Sequence, residues 1–300
     1  MAMNRKTFFD TAFINHGLGL SCIENYFLYA IESHVKDFHF LFCDSYLNWD
    51  QIWDEIFEKG VNYAHWSATP RLHHTAKKHG IADFNWRRMV TLELSGLAYN
   101  AVSINPKYIR DKYKTAPWRD NHYLLVDKMS EDEYRYINDV PPAMDMITTK
   151  QLNDVFNGEI FGFEFTNVIT NHMKAEWTAA LIKELANNTT TEINADYLIK
   201  ENALKIRDFI GILKVLRKRI LAFASPTIQK NGQAYIQHLD HSYMILEYMK
   251  AKGVFDPLKV FKMMEDIQSE DHDFIDMLRR DLAKNEYTKE DFGDHSGIYV

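Results

Sequence analysis

Near residue 166 the chain changes its hydrophobic rhythm, and that change sets the expected fold class. Before it, short strand-like runs are mixed with helical ones. The spacing predicts helices over 22–36, 49–59 and 69–79, and strands over 38–43, 98–105, 122–128 and 134–138. After it, apolar residues recur almost wholly at helical spacing. One amphipathic run covers 167–187, a second starts at Asn194, and a third covers 227–252 and stops at Gly253. Asp256-Pro257 opens a fourth, with Asp at the cap and Pro at the first helical position. The polar stretch NNTTTEIN (187–194) separates the first two. Four helices on short loops suggest a bundle. The expectation is an α+β chain in two parts: residues 1–166 with an antiparallel sheet, and residues 167–300 as a helical bundle.

Composition excludes some function classes. A formal charge of −7 argues against a general binder of nucleic acid or anionic membrane. No apolar run approaches the roughly 20 residues of a membrane span, and MAMNRKTFFD lacks the apolar core of a signal peptide. Two cysteines, Cys22 and Cys43, make no disulfide framework. A cytoplasmic protein is expected. Cys43 sits in the apolar run FHFLFCDSY, which reads as a buried strand, and is taken as structural.

Cys22 has a different setting. Gly17-Leu18-Gly19-Leu20 precedes it, and Ile23, Tyr26, Phe27, Ala30 and Ile31 follow at helical spacing. Ser21 and Glu24 have the spacing of a capping box, which places Cys22 in the first helical turn. Unpaired backbone N–H groups and the positive end of the helix dipole favour an anion there, and can lower a thiol's pKa toward neutrality. The plain alternative is a packed, inert cysteine. The choice turns on whether the chain supplies a base.

NHYLLVDKMSEDEYRYINDVPP (121–142) supplies one. Tyr123–Val126 and Tyr134–Ile137 are strand-forming runs around the polar turn Ser130–Glu133, which is a hairpin pattern. With an even-numbered loop, paired residue numbers sum to an odd number, which sets His122 opposite Asp139. A carboxylate beside an imidazole fixes its tautomer and orientation. Cys22, His122 and Asp139 are thus the parts of a Cys-His-Asp triad. Taken singly, His122 reads first as a strand-end histidine with no role, and Asp139 before Val-Pro-Pro as a turn residue.

These residues carry a resemblance. A Cys at a helix start, HYLLVDK, a polar turn and YINDVPP resemble the papain-like cysteine-peptidase fold as arranged in bacteriocin-processing peptidase domains. More closely, the chain resembles the butirosin biosynthesis protein H-like family, in which such a domain precedes a helical C-terminal region. The motifs cover residues 12–165, and the remainder matches in architecture only. The resemblance implies a papain-like domain over 1–166 that acts as an acyltransferase. Cys22 would take an acyl group from the phosphopantetheine thioester of an acyl carrier protein and pass it to an amine of a small natural product. His122 would be the general base and acid, and Asp139 the orienting carboxylate. No bound cofactor or metal is implied, because the phosphopantetheine arrives on the donor. The peptidase relatives carry an oxyanion-stabilising Gln about six residues before the Cys. Here the position holds His16, preceded by Asn15. Either side chain, or the backbone N–H of Cys22, is a candidate donor, and losing one such donor costs on the order of 100-fold or more in rate. A cysteine peptidase or amidase with the same triad, and a non-catalytic binding protein of this fold, are the other readings.

An acidic carrier calls for a basic docking surface. The densest positive run is Lys214-Val215-Leu216-Arg217-Lys218-Arg219, and Arg87-Arg88 after Trp86 is another; either also reads as a solvated face. His238 with His241, and His73, His74 with His79, lack the partners of a metal site. Glu270-Asp271-His272-Asp273 reads as a solvated acidic patch. The pattern leaves the oligomeric state open, and a homodimer through the aromatic-rich helices is compatible with it.

Overall fold

The structure is a computed structural model, and it describes residues 18–32, 38–68, 71–115 and 122–284. It divides the chain into two compact units. Of the described residues, those up to Phe38 and those in 68–169 form one, and those in 39–67 and 170–284 form the other. The second unit thus takes in a segment that the linear division at residue 166 leaves with the first.

The first unit is built on a six-stranded antiparallel sheet. Its strands are β1 (Ala82–Arg88), β2 (Tyr99–Ile104), β3 (His122–Lys128), β4 (Glu133–Asn138), β5 (Ala143–Thr148) and β6 (Phe156–Phe165), in the order β1-β6-β2-β3-β4-β5. The α+β expectation and the strands β2, β3 and β4 agree with the sequence pattern. β1, β5 and β6 did not stand out from it. Gly158 and Gly162 interrupt the β6 run, and weakly alternating edge strands give little periodic signal.

Helix α1 (Cys22–Glu32) is buried on nearly every side. Ile23, Tyr26, Phe27, Leu28, Tyr29, Ala30 and Ile31 are all buried. A helix of that kind belongs inside a domain, not on its surface. The Phe27 ring packs against Phe84, Phe163 and Phe165 of the sheet at centroid distances of 5.4–5.6 Å. A separate cluster joins Val102, Leu124, Val126, Tyr134 and Tyr136 to Ile109 and Leu152, which lie on the short helices Lys107–Tyr113 and Thr149–Val155. β3 is buried along its first five residues, as expected for a central strand covered on both faces.

In the second unit, FHFLFCDS forms a 3-10 helix (Phe38–Ser45) where the sequence predicts a strand. A short apolar run does not tell strand from helix by periodicity alone. Phe40, Leu41 and Phe42 are buried in succession, a pattern no one-sided strand gives, and Cys43 is half-buried. Trp49, Ile52 and Ile56 of the helix Trp49–Phe57 share one core with Phe209, Leu213, Leu216, Val260 and Ile267, which is why this segment belongs with the C-terminal helices. Those helices are Asn171–Ala186, Ala203–Leu221, Pro226–Lys252 and Pro257–Lys284. The stretch from Asn194 first forms two short 3-10 turns and becomes α-helical only at Ala203. Gly253 ends its helix in the left-handed region (φ 66°), as its position suggested. No helix of the described residues is long and apolar enough to cross a membrane.

At the centre of this unit stands a buried ion pair. Arg217 Nε and Nη2 donate to the two Asp271 oxygens at 2.7 and 2.9 Å, Arg217 Nη1 donates to the Leu47 carbonyl at 2.8 Å, and the Tyr235 hydroxyl donates to Asp271 at 2.8 Å. Both charged side chains are 0% exposed. Asp271 is therefore no part of a solvated acidic patch.

Candidate active site

Ser21 and Glu24 form the capping box that the spacing predicts. Glu24 N–H donates to Ser21 Oγ (3.3 Å), and Ser21 N–H donates to Glu24 Oε2 (3.0 Å). Glu24 does more than cap its own helix. Its Oε1 accepts from the backbone N–H groups of Arg71 (2.7 Å) and Leu72 (3.0 Å), at the start of the helix Leu72–Lys78. One buried carboxylate thus serves two helix starts. Cys22 is the first residue of α1 and is half-buried.

The hairpin has a different register from the expected one. Leu125 pairs with Ile137 and Val126 with Tyr136, so paired numbers sum to an even number. The cause lies in the turn. Met129 N–H donates to the Glu133 carbonyl, enclosing only Ser130, Glu131 and Asp132, and Glu133 already belongs to β4. A one-residue shift moves every side chain to the other face. Asn138, not Asp139, now shares the side of His122. Asn138 Oδ1 lies 2.6 Å from His122 Nε2, whereas the nearest Asp139 oxygen lies at 3.8 Å.

The Asn138 amide has a fixed orientation. Its Nδ2 donates to the Pro141 carbonyl at 2.7 Å, so Oδ1 faces the imidazole. An amide oxygen only accepts, so His122 Nε2 carries the proton. In the neutral ring Nδ1 is then the basic nitrogen. Asn138 is wholly buried and His122 nearly so.

Asp139 follows directly after β4 and is also buried. Its Oδ2 accepts from Asn25 Nδ2 at 2.9 Å. Its backbone N–H donates to the Tyr26 hydroxyl at 3.3 Å, and that hydroxyl donates to the Tyr123 carbonyl at 2.7 Å. Asn25 and Tyr26 stand three and four residues after Cys22, on the face of α1 that Cys22 shares. The helix with the thiol, the strand with the imidazole and the carboxylate are thereby joined. The sequence signal for Asn25 and Tyr26 was this helical spacing from Cys22. The signal for Asn138 was its place beside Asp139.

The electrostatics differ from the expectation for an N-terminal cysteine. Burial, and after it the Asp139 charge, push the Cys22 thiol well above its ordinary value. Backbone N–H groups of Tyr123, Ile23 and Cys22 itself hydrogen-bond the sulfur and work in the opposite direction, without overcoming the burial. At rest the cysteine is a neutral thiol. Burial, then Asp139, also push the Tyr26 hydroxyl far up, so it stays a hydrogen-bond donor at any physiological pH.

Other predicted site residues are placed as follows. Asn15 and His16, the oxyanion candidates, lie outside the described residues. Arg217 and Arg219 do not form a docking surface. Arg217 is the buried partner of Asp271, and Arg219, 1% exposed, lies over the rings of Phe42 and Trp66 at 5.3 Å. The run falls on a helix that is apolar on most sides, so these two arginines turn inward. Lys214 pairs with Asp240 at 2.6 Å, and burial lowers the pKa of Lys218. Arg87 and Arg88 are exposed on the edge strand β1, next to a 45% exposed Trp86; Arg88 pairs with Glu159 at 2.8 Å.

The site thus comprises a half-buried cysteine, an imidazole held by Asn138 and the buried Asp139 carboxylate. No protein-family model matches this chain, and no curated protein matches it.

Proposed function

We propose that this protein is a cysteine acyltransferase of papain-like fold, resembling the butirosin biosynthesis protein H-like family. It moves an acyl group from an acyl-carrier-protein thioester through Cys22 to an amine of a small natural product. The observation that carries this reading is the grouping of His122 and Asp139 at the α1 start: Asp139 is bonded to Asn25 and Tyr26 of α1 and lies 3.8 Å from His122 Nε2, and His122 is held by Asn138.

The sulfur attacks the thioester carbonyl while His122 takes the thiol proton. The carbon–sulfur bond to pantetheine then breaks, and His122 returns the proton to the leaving thiolate. In the second half the amine attacks the acyl-cysteine, loses a proton to His122, and Cys22 leaves as the thiol. The backbone N–H groups around the sulfur are suited to holding the tetrahedral oxyanion. A thiol that is protonated at rest loses its proton in the attack itself. An activated thioester demands less of such a nucleophile than a peptide bond does, and this favours acyl transfer over proteolysis. With Arg217 and Arg219 buried, Arg87 and Arg88 are the basic side chains best suited to an acidic carrier.

The test is to incubate the protein with short acyl-pantetheine thioesters and record its intact mass beside Cys22→Ala. An acyl adduct on the wild type, absent from the variant and removed by added amines, is the expected result. No adduct with any thioester overturns the proposal.

A further inference from the structure

We propose that the Tyr26 hydroxyl is a positioning group that holds β3 and β4 apart at their catalytic end, standing in for the backbone bonding between Tyr123 and Asp139. The proposal deepens the acyl-transfer reading and rests on it for its kinetic test.

The argument begins with the ladder. Its pairs run from Lys128 with Tyr134 to Leu125 with Ile137. The Met129 N–H bond to the Glu133 carbonyl fixes which pairs exchange backbone bonds: 129 with 133, then every second residue. The next such pair beyond Leu125 is Tyr123 with Asp139. Their groups are partnered elsewhere. The Tyr123 carbonyl accepts from the Tyr26 hydroxyl at 2.7 Å, and the Asp139 N–H donates to the same hydroxyl at 3.3 Å. A phenol has one proton to give and lone pairs to receive, so one oxygen satisfies both strands. The strand itself is not frayed, because on its other side β3 stays paired with β2 as far as His122 with Ile104. Only the β4 side opens.

That opening has a consequence for the site. It leaves the Tyr123 N–H outside the β4 ladder, and Asn138 reaches His122 across the gap, its Oδ1 2.6 Å from Nε2. Tyr26 is 0% exposed and lies one helical turn beyond Cys22. The helix that carries the nucleophile therefore sets the spacing of the strand that carries the base. Without the hydroxyl the two strands close on each other or leave a buried carbonyl and N–H unpaired. Either outcome displaces His122 from its working position, and a displacement near 1 Å costs about 100-fold.

The experiment is Tyr26→Phe, which keeps the ring. Acyl-adduct formation on Cys22 is followed over a range of thioester concentrations, with thermal unfolding measured alongside. The expected result is a maximal acylation rate lower by about 10- to 100-fold, with the half-saturating concentration little changed. A variant that is merely less stable, but whose folded fraction acylates within about twofold of wild type, overturns the proposal. A second measurement needs no variant. Amide exchange by NMR is expected to show Asp139 N–H protected at least about 100-fold over a free amide, although it lies outside β4. Exchange at the free rate overturns the bridge. If the wild type takes no acyl group at all, acyl transfer fails, and Asp139 exchange alone decides the wedge.

Discussion

Replacing Asn138 by alanine separates the observed site from the one the sequence suggests. Asn138 is 0% exposed and makes two short bonds, 2.6 Å to His122 Nε2 and 2.7 Å to the Pro141 carbonyl. Asn138→Ala leaves the buried His122 N–H and the half-buried Pro141 carbonyl without these partners. A buried group left so costs about 1–3 kcal/mol and a half-buried one less, so the fold should lose about 1–4 kcal/mol. The kinetic effect is separate. A hydrogen bond worth about 1–1.5 kcal/mol holds the proton on Nε2 and the ring in place, which is about tenfold in the population of the working tautomer. Added misplacement of the ring brings the expected loss to about 10- to 100-fold in acylation rate. The assay is single-turnover acyl-adduct formation by intact mass, run at a temperature where the variant is still folded by circular dichroism. Asp139→Ala serves as the comparison. Acylation at the wild-type rate in folded Asn138→Ala would refute the assignment of Asn138 as the residue that orients His122.

Three further outcomes are expected. Because burial and Asp139 raise the Cys22 thiol, its alkylation by iodoacetamide should be slow at pH 7 and climb beyond the free-thiol value of about 8.5; the thiol's contribution to stability is whole below that value and is lost as pH rises through its folded-state pKa. A rate already on its plateau below pH 7 would contradict this. Asp271→Ala should destabilise the helical unit by about 3–5 kcal/mol in urea unfolding, since Arg217 is left charged and buried, and Arg217→Met with Asp271→Leu should recover most of it. Gly162→Ala puts a Cβ 2.0 Å from Ser95 Oγ, which is bonded to Asn100 at 2.6 Å, and should cost about 1–3 kcal/mol by thermal unfolding; no loss would mean that the Ser95 loop gives way freely.

Much of the fold was written in local pattern. The capping box at Ser21 and Glu24, the helix stop at Gly253 and the Pro257 helix start rest on interactions within a few residues, the strand His122–Lys128 showed as a run of strand formers, and all stand in the structure. The three site residues named from the sequence are in one unit of the structure, but their partners were chosen by distance in space. A hairpin loop of three residues in place of four gave His122 to Asn138. Burial of the first turn of α1 reversed the expected effect of a helix N-terminus on Cys22. The basic run at 214–219 is charged in sequence, yet Asp271, 54 residues after Arg217, draws that arginine into the core. Periodicity and capping depend on neighbours along the chain, so the sequence alone determined them. Register, burial and ion pairing depend on what the folded chain brings alongside, and only the tertiary structure decided them.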